Sequence, residues 1–374
     1  MSVAIGLAIA MALAPPAAPT AAERARFDEA ARYSESHGGL ALLVMRDGQV
    51  VFERYAEGSS PEKGHQLASG TKSFWGPLAA VAAREGLLSL DETVADTLTE
   101  WKDDPRKARI TVRDLLSFSS GLESPRRLWA ERGRNLYTFT LGLPAVEEPG
   151  RRFTYSEVHL YAFAEFLNRK LATRAAASGG SGMAESAHAY LERTLLEPLG
   201  LAGGRWQRDA SGRPAMGAGA VLTAREWAAW GELVRNRGAF GDRQLVPAEG
   251  IDACLASSAA NPAYGLTWWL NRPSGVATAS TADGAGARRM RSSDRVSARG
   301  IVPGRVPDLA MAAGTGQQRL YVVPSERMVI VRFANADMPM AVMRNEPQRM
   351  NLDFKDEEFF ARLLEPAPSR KEIR

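Results

Sequence analysis

The chain has 374 residues, 45% of them hydrophobic and 24% charged. That is enough apolar material for one large domain or two of ordinary size, and too much for a disordered protein. Lys and Arg number 47 against 43 Asp and Glu, a net charge of +4 with both signs mixed along the chain, so no nucleic-acid-binding character is indicated. One cysteine, Cys254, excludes an intramolecular disulfide and any multi-cysteine metal centre, and His37, His65, His159 and His188 are too few for a His-rich one.

Residues 1–22 carry no charged side chain. Ile5–Ala14 is an apolar run, followed by a Pro/Ala stretch ending Thr20-Ala21-Ala22. This is the pattern of a secretory signal peptide without its basic start, and it is short for a membrane span. The expectation is export to the periplasm or medium, with no stable membrane span once the leader is cleaved. Glu23–Ser36 reads as a helix. Gly39–Met45 and Gln49–Tyr55 are β-prone runs around Arg46-Asp47-Gly48, a hairpin signal. After a Gly/Ser/Pro loop at Glu57–Gly64, Lys72–Arg84 predicts an apolar helix. Pro77 inside it should kink it or mark its first turns.

Helical patterns then dominate, at Val112–Leu116, Val158–Leu171, Ala187–Leu195 and Ala224–Arg235. Thr173–Ser186, rich in Gly, Ala and Ser, predicts a surface loop. Arg319–Val323 and Met328–Ala334 are β-runs joined by Pro324-Ser325-Glu326-Arg327. Phe359, Phe360, Leu363 and Leu364 mark a last amphipathic helix. With strands at both ends and helices between, the pattern predicts an α+β fold: an antiparallel sheet formed from both chain termini, flanked by helices, with an inserted mostly α-helical domain. The expected organisation is the leader at 1–22, an α/β part at 23–90, a helical domain at 91–255 and a second α/β part at 256–374.

Gly-x-Ser-x-Gly, Walker, His-Glu-x-x-His and Gly-x-Gly-x-x-Gly motifs do not occur. Ser-x-x-Lys occurs twice, at Ser60-Pro-Glu-Lys63 and Ser69-Gly-Thr-Lys72. Ser60 lies in a loop where nothing fixes Lys63 against it. Ser69 stands before an apolar helical run, where backbone N–H groups gather, and a residue three positions on shares its face. Lys72 can therefore bring its amine to the Ser69 hydroxyl, which needs a base to become a nucleophile. The plainer reading makes Ser69 an N-cap and Lys72 a solvated first-turn residue.

Five segments in order decide between these readings: Gln66-Leu-Ala-Ser-Gly-Thr-Lys-Ser-Phe74, Gly86-Leu-Leu-Ser-Leu-Asp91, Ile110-Thr-Val-Arg-Asp-Leu-Leu-Ser-Phe-Ser-Ser-Gly-Leu122, Pro149-Gly-Arg-Arg-Phe-Thr-Tyr-Ser156 and Pro198-Leu-Gly-Leu201. Together they resemble the class C β-lactamase-related serine hydrolases, a family of esterases, D-amino-acid peptidases, DD-peptidases and nylon-oligomer amidases. The resemblance covers roughly residues 38–365. It implies Ser69 as nucleophile, with Lys72 and Tyr155 sharing proton transfer. The family's Tyr-x-Asn motif reads Tyr155-Ser156-Glu157 here. Glu157 replaces an amide that contacts substrate. It either favours a cationic substrate group or caps the following helix, the commoner use of such a residue.

The family's third motif, Lys-Thr-Gly or His/Trp-x-Gly, aligns with Ala312-Ala313-Gly314, so the basic residue that would grip a substrate carboxylate is absent. The resemblance implies that Gly314 and Gly316 border the substrate and that the N–H groups of Ser69 and Thr315 form an oxyanion hole. Other features have plainer readings. Arg288, Arg289, Arg291, Arg295 and Arg299 read as a solvated basic loop, Trp268 and Trp269 as core, His159 as structural and Cys254 as an inert buried thiol. The expectation is an esterase or amidase acting on a small-molecule or peptide substrate, with no metal or organic cofactor. The alternatives are a DD-peptidase, a D-aminopeptidase, a weak β-lactamase, or a catalytically silent binding protein of the same fold.

Overall fold

The computed structural model describes residues 18–125, 128, 133–179, 184–201, 205–274, 299–335 and 354–365. Residues 1–17 of the leader, and Arg288, Arg289, Arg291 and Arg295 of the basic stretch, lie outside the described residues.

Helix α1 (Ala21–Ser36) begins at a capping box, Thr20 and Glu23 exchanging side-chain-to-backbone hydrogen bonds. Strands β1 (Gly39–Arg46) and β2 (Gln49–Tyr55) follow. Their two-residue turn takes left-handed φ at Asp47 (48°) and Gly48 (76°), as a tight hairpin with right-handed twist requires. Strands β3 (His65–Gln66), β4 (Arg205–Trp206) and β5 (Ala220–Leu222) make a small sheet, and β6 (Ala239–Phe240) pairs with β7 (Arg243–Gln244). Strands β8 (Trp269–Leu270), β9 (Ala310–Gly314), β10 (Gln318–Val323) and β11 (Met328–Ala334) join β1 and β2 in an antiparallel sheet of order β2-β1-β11-β10-β9-β8. Strand β1 pairs with β11 from Gly39 opposite Ala334 to Arg46 opposite Met328. The two ends of the chain thus meet in the middle of one sheet, the α+β arrangement expected.

Strands β10 and β11 are buried along their whole length. Both faces are covered, so they read as apolar runs rather than as alternation. Helix α7 (Ala224–Arg235), started by a Thr223/Glu226 capping box, packs across β1, β10 and β11. It approaches closely through Gly231, where a Cβ would stand 2.5 Å from Val329 Cγ1 and 2.8 Å from Leu320 Cδ1. On the opposite face α1 packs against α9 (Asp356–Leu363). There Tyr321 stacks on Phe359 with centroids 6.0 Å apart.

The sequence reading of the middle section needs three corrections. The expected helix Lys72–Arg84 is two pieces, a 3₁₀ turn over Ala68–Phe74 and an α-helix, α2 (Trp75–Arg84). Pro77 lies in the first turn of α2, where its missing N–H would have had no intrahelical partner. The expected loop Thr173–Ser186 starts late. Helix α5 (Val158–Ala177) runs through Thr173–Ala177, because the Ala-rich tail of that segment is strongly helix-forming. Third, α6 (Ala187–Leu191) gives way to a wider π turn over Glu192–Leu196 within the expected Ala187–Leu195 helix. Helices α3 (Val112–Leu116) and α4 (Leu136–Leu141) lie between α2 and α5 in the chain, and α8 (Ala248–Cys254) packs against α2. Among the described residues no helix is long and apolar enough to cross a membrane.

The α7–sheet contact gives a direct test of packing. Gly231→Ala should lower the free energy of unfolding by roughly 1–3 kcal/mol through overpacking against Val329 and Leu320, measured by urea denaturation with an unchanged m-value. An unchanged midpoint would mean that α7 does not seat on the sheet through this residue.

Candidate active site

The 3₁₀ turn is what brings Ser69 and Lys72 together. At three residues per turn, side chains at i and i+3 eclipse one another, and Lys72 Nζ lies 2.9 Å from Ser69 Oγ. Ser69 is therefore not an N-cap. The cap position is Leu67, which makes no side-chain capping bond. Ala68, immediately before the serine, is held at φ 47°, a left-handed conformation unfavourable for a residue with a Cβ. Such strain persists only where surrounding structure imposes it. Here Leu67 N–H donates to Ala220 O at 2.9 Å, Trp75 Nε1 to Met216 O at 2.6 Å and Ala220 N–H to Thr71 Oγ1 at 3.1 Å. Gly70 lies against the Trp227 ring of α7 so closely that a Cβ would stand 2.6 Å from it.

Lys72 is 2% exposed, and so buried an amine needs partners. Its Nζ donates to Ser69 Oγ and, at 2.8 Å, to Gly217 O, and it pairs with Glu157 Oε1 at 3.5 Å. The Glu157 carboxylate is thus turned to the lysine. Glu157 occupies the cap position of α5 but makes no capping hydrogen bond, which corrects the expectation that capping was its commoner role. Gly217 makes this approach possible, since a Cβ there would lie 2.5 Å from Glu157 Cγ. Nothing in the sequence marked Gly217, whose part depends on a contact 145 positions from Lys72.

Tyr155 stands beside the same amine, its ring centroid 5.3 Å from Lys72 Nζ. It is half-buried among Phe118, Phe153, Tyr264 and Trp269, with centroids 5.3–6.4 Å away. Trp269 is core, as expected, and also backs this tyrosine. Trp268 is fully buried and its indole N–H donates to Ser73 O at 3.2 Å.

His159 fixes the tyrosine's backbone. Its Nε2 lies 2.8 Å from Thr154 O and its Nδ1 2.8 Å from Ser120 Oγ. A carbonyl can only accept, so Nε2 carries the proton and Nδ1 accepts from the serine hydroxyl. The ring is fully buried and stacked on Phe118, and burial pushes its pKa down to about 4. Cys254 is also fully buried, which pushes its thiol pKa well up.

The third segment reaches the site from β9. Gly314 ends the strand, and its missing side chain lets β9 lie against the Leu67 carbonyl. Thr315, Gly316 and Gln317 form the turn into β10, with left-handed φ at Gly316 (80°) and Gln317 (66°). Thr315 is exposed at its tip. The structure therefore gathers Ser69, Lys72, Glu157 and Tyr155 into one cluster, with the Gly314 strand end packed beside it. The other Ser-x-x-Lys is not such a pair, since the Lys63 amine donates to Gly58 O. Among the described residues no group of three or more His, Cys, Asp or Glu could hold a metal ion.

Comparison with known proteins agrees with this architecture. Residues 24–353 match the family model described as Beta-lactamase, and the chain belongs to that family. Its fold is shared with a family VIII carboxylesterase, at 15% identity and a TM-score of 0.62 over 93% of this chain and 99% of that one. It is shared likewise with a novel penicillin-binding protein homologue from Caulobacter crescentus (17% identity, TM-score 0.60, 93% and 99% covered). A third similar structure is EstCE1, a hydrolase with promiscuous acyltransferase activity (16% identity, TM-score 0.61, 88% and 98% covered). No curated protein matches the sequence. The protein is thus a member of the Beta-lactamase family, with a fold shared with a carboxylesterase and a penicillin-binding protein homologue.

The buried histidine makes stability depend on pH. Between pH 6.5 and about 4 the unfolded chain binds a proton at His159 that the folded chain does not. Stability contributed by the neutral ring is fully present above the unfolded value and is lost as pH falls towards 4, up to about 3 kcal/mol. His65 and His188 are shifted the same way, each to about 4 and mainly by burial. The unfolding midpoint should therefore fall between pH 7 and pH 4.5, and less steeply in His159→Gln. Equal slopes in the two proteins would show that His159 is not held neutral.

Proposed function

We propose that the protein hydrolyses an ester or amide bond through a Ser69 acyl-enzyme, with Lys72 and Tyr155 moving the proton. The observation that carries this reading is the set of partners around Lys72 Nζ. An ammonium has three N–H donors and no acceptor, whereas a neutral amine has two N–H and one lone pair. Gly217 O accepts one N–H at 2.8 Å and the Glu157 carboxylate pairs at 3.5 Å, which accounts for two of the three positions around the nitrogen. The third is directed at Ser69 Oγ, 2.9 Å away, within the reach a general base needs to take the serine proton.

In the proposed reaction Ser69 Oγ attacks the carbonyl carbon as its proton passes to Lys72. The N–H groups of Ser69 and Thr315 stabilise the resulting oxyanion. Collapse breaks the bond to the alcohol or amine, which leaves with a proton delivered through Lys72 and Tyr155. Water then attacks the acyl-enzyme by the same route and restores Ser69. Ala312 stands where relatives carry a base for a substrate carboxylate, and Glu157 stands where they carry an amide. Both differences favour an uncharged or cationic ester or amide over a β-lactam.

The test is a panel of p-nitrophenyl butyrate, a linear anilide, a D-alanyl peptide and a chromogenic cephalosporin, with fluorophosphonate labelling read by peptide mapping. Ester or anilide should turn over and the label should fall on Ser69. Ser69→Ala should abolish both, and Lys72→Ala should lower kcat by about 10²-fold or more with an unchanged near-UV spectrum. Labelling at Ser60, or persistent turnover in Ser69→Ala, would overturn the assignment.

A further inference from the structure

We infer that two buried arginines, Arg319 and Arg332, are positioning residues that aim the Thr315 N–H at the reacting oxygen by gripping the Thr315–Gln317 turn from behind. This rests on the reading of Thr315 as an oxyanion donor.

The two residues sit directly opposite each other on β10 and β11, an arrangement in which like charges repel. They are 4% and 0% exposed, and an arginine so deep is costly unless its donors are used. Half of their hydrogen bonds go to one short stretch, residues 314–318. Arg319 Nη1 donates to Gly314 O at 3.4 Å and to Gln318 O at 3.1 Å, and its Nη2 donates to the Gln317 side-chain carbonyl. Arg332 Nη1 donates to Gln317 O at 2.8 Å. Their remaining donors are anchored. Arg319 Nε binds Asp356 Oδ1 of α9 at 2.9 Å; Arg332 Nε binds Ser34 Oγ of α1 at 2.9 Å, and its Nη2 donates to Ser34 O at 3.3 Å and His37 O at 2.9 Å. Asp356 also accepts from Tyr321 OH.

The consequence follows from the planarity of the peptide. Gly314 O and the N–H of Thr315 belong to one peptide unit, and in a trans peptide they point in opposite directions. A guanidinium holding the carbonyl on the β10 side therefore directs the N–H away from β10. Strand β9 packs on the turn that carries Ser69, and Gly314 lies against Leu67, two residues before it. The cation also polarises the amide and adds positive potential behind a developing oxyanion. The left-handed φ of Gln317, costly for a residue with a Cβ, is retained where both arginines hold it.

The experiment compares Arg319→Met and Gln317→Asn with the full-length protein. Asparagine tolerates the left-handed backbone but is too short to reach Arg319, so this second variant tests the grip without removing a buried charge. Each is assayed with p-nitrophenyl butyrate, normalised to active sites titrated with fluorophosphonate, and for inhibition by phenylboronic acid, which forms a tetrahedral adduct. A misaimed donor should lower kcat per active site by roughly tenfold to a hundredfold with KM within about twofold. Boronate affinity should fall in parallel. A merely structural role would reduce the titratable fraction and leave kcat per site unchanged; that result in Gln317→Asn, or in both variants, overturns the inference. Turnover of unmodified protein that survives Ser69→Ala removes the serine reading and this inference with it. Turnover that depends on Ser69 but is indifferent to both variants removes this inference alone.

Discussion

The site depends on a single buried amine. Lys72 lies out of reach of bulk water and is held by acceptors from separate parts of the chain: Ser69 one turn away, Gly217 before β5 and Glu157 at the start of α5. Removing a charge from water is costly unless its partners are in place. The arrangement therefore forces those segments into register, and much of the surrounding structure serves to keep them there. The Gly217 gap admits Glu157. The bonds of Leu67, Thr71 and Trp75 to residues 216–220 tie the Ser69 turn to the segment carrying one of the lysine's acceptors.

The same economy governs the backbone. Left-handed residues flank the candidate site at Ala68 on one side and at Gly316 and Gln317 on the other. The first is held by hydrogen bonds to Met216 and Ala220 and by packing on α7, the second by the paired arginines at Gln317. Rigid placement of both edges lets a cleft stabilise a tetrahedral oxygen without reorganising when charge develops. His159 extends the pattern. It does no proton transfer itself, being buried and neutral, but it anchors the Thr154 carbonyl next to Tyr155.

Elements whose signals are local were legible in the sequence. The Asp47-Gly48 turn announced the first hairpin, and Ala224–Arg235 begins and ends where its pattern does. The Ser69–Lys72 spacing carried the contact because both an α-helix and a 3₁₀ turn place i and i+3 on one side. The kind of helix was not legible, since Ala68–Phe74 is too short and too polar to separate a period of three from one of 3.6. What depends on long-range contact was hidden. Glu157 looked like a helix cap because its partner is 85 positions away. Arg319 and Arg332 looked like ordinary strand residues, because only the covering helices show that both faces of that sheet are closed. Gly217 had no local signature at all.

The sheet's strand order has a consequence for how the protein comes into being. Strand β1, made early, stands between β2 and β11, and β11 follows almost three hundred residues later. Until that last strand arrives, β1 has a hairpin partner on one side and an open row of backbone donors and acceptors on the other. The Ser69 turn rests on β9 and on α7, and α7 in turn rests on β10 and β11. Loop closure over such a span is slow compared with local folding. A ribosome-bound chain would therefore carry both halves of the serine–lysine pair from early on, yet lack the floor beneath them until synthesis is nearly complete. Chemical competence is thereby tied to completion of the chain.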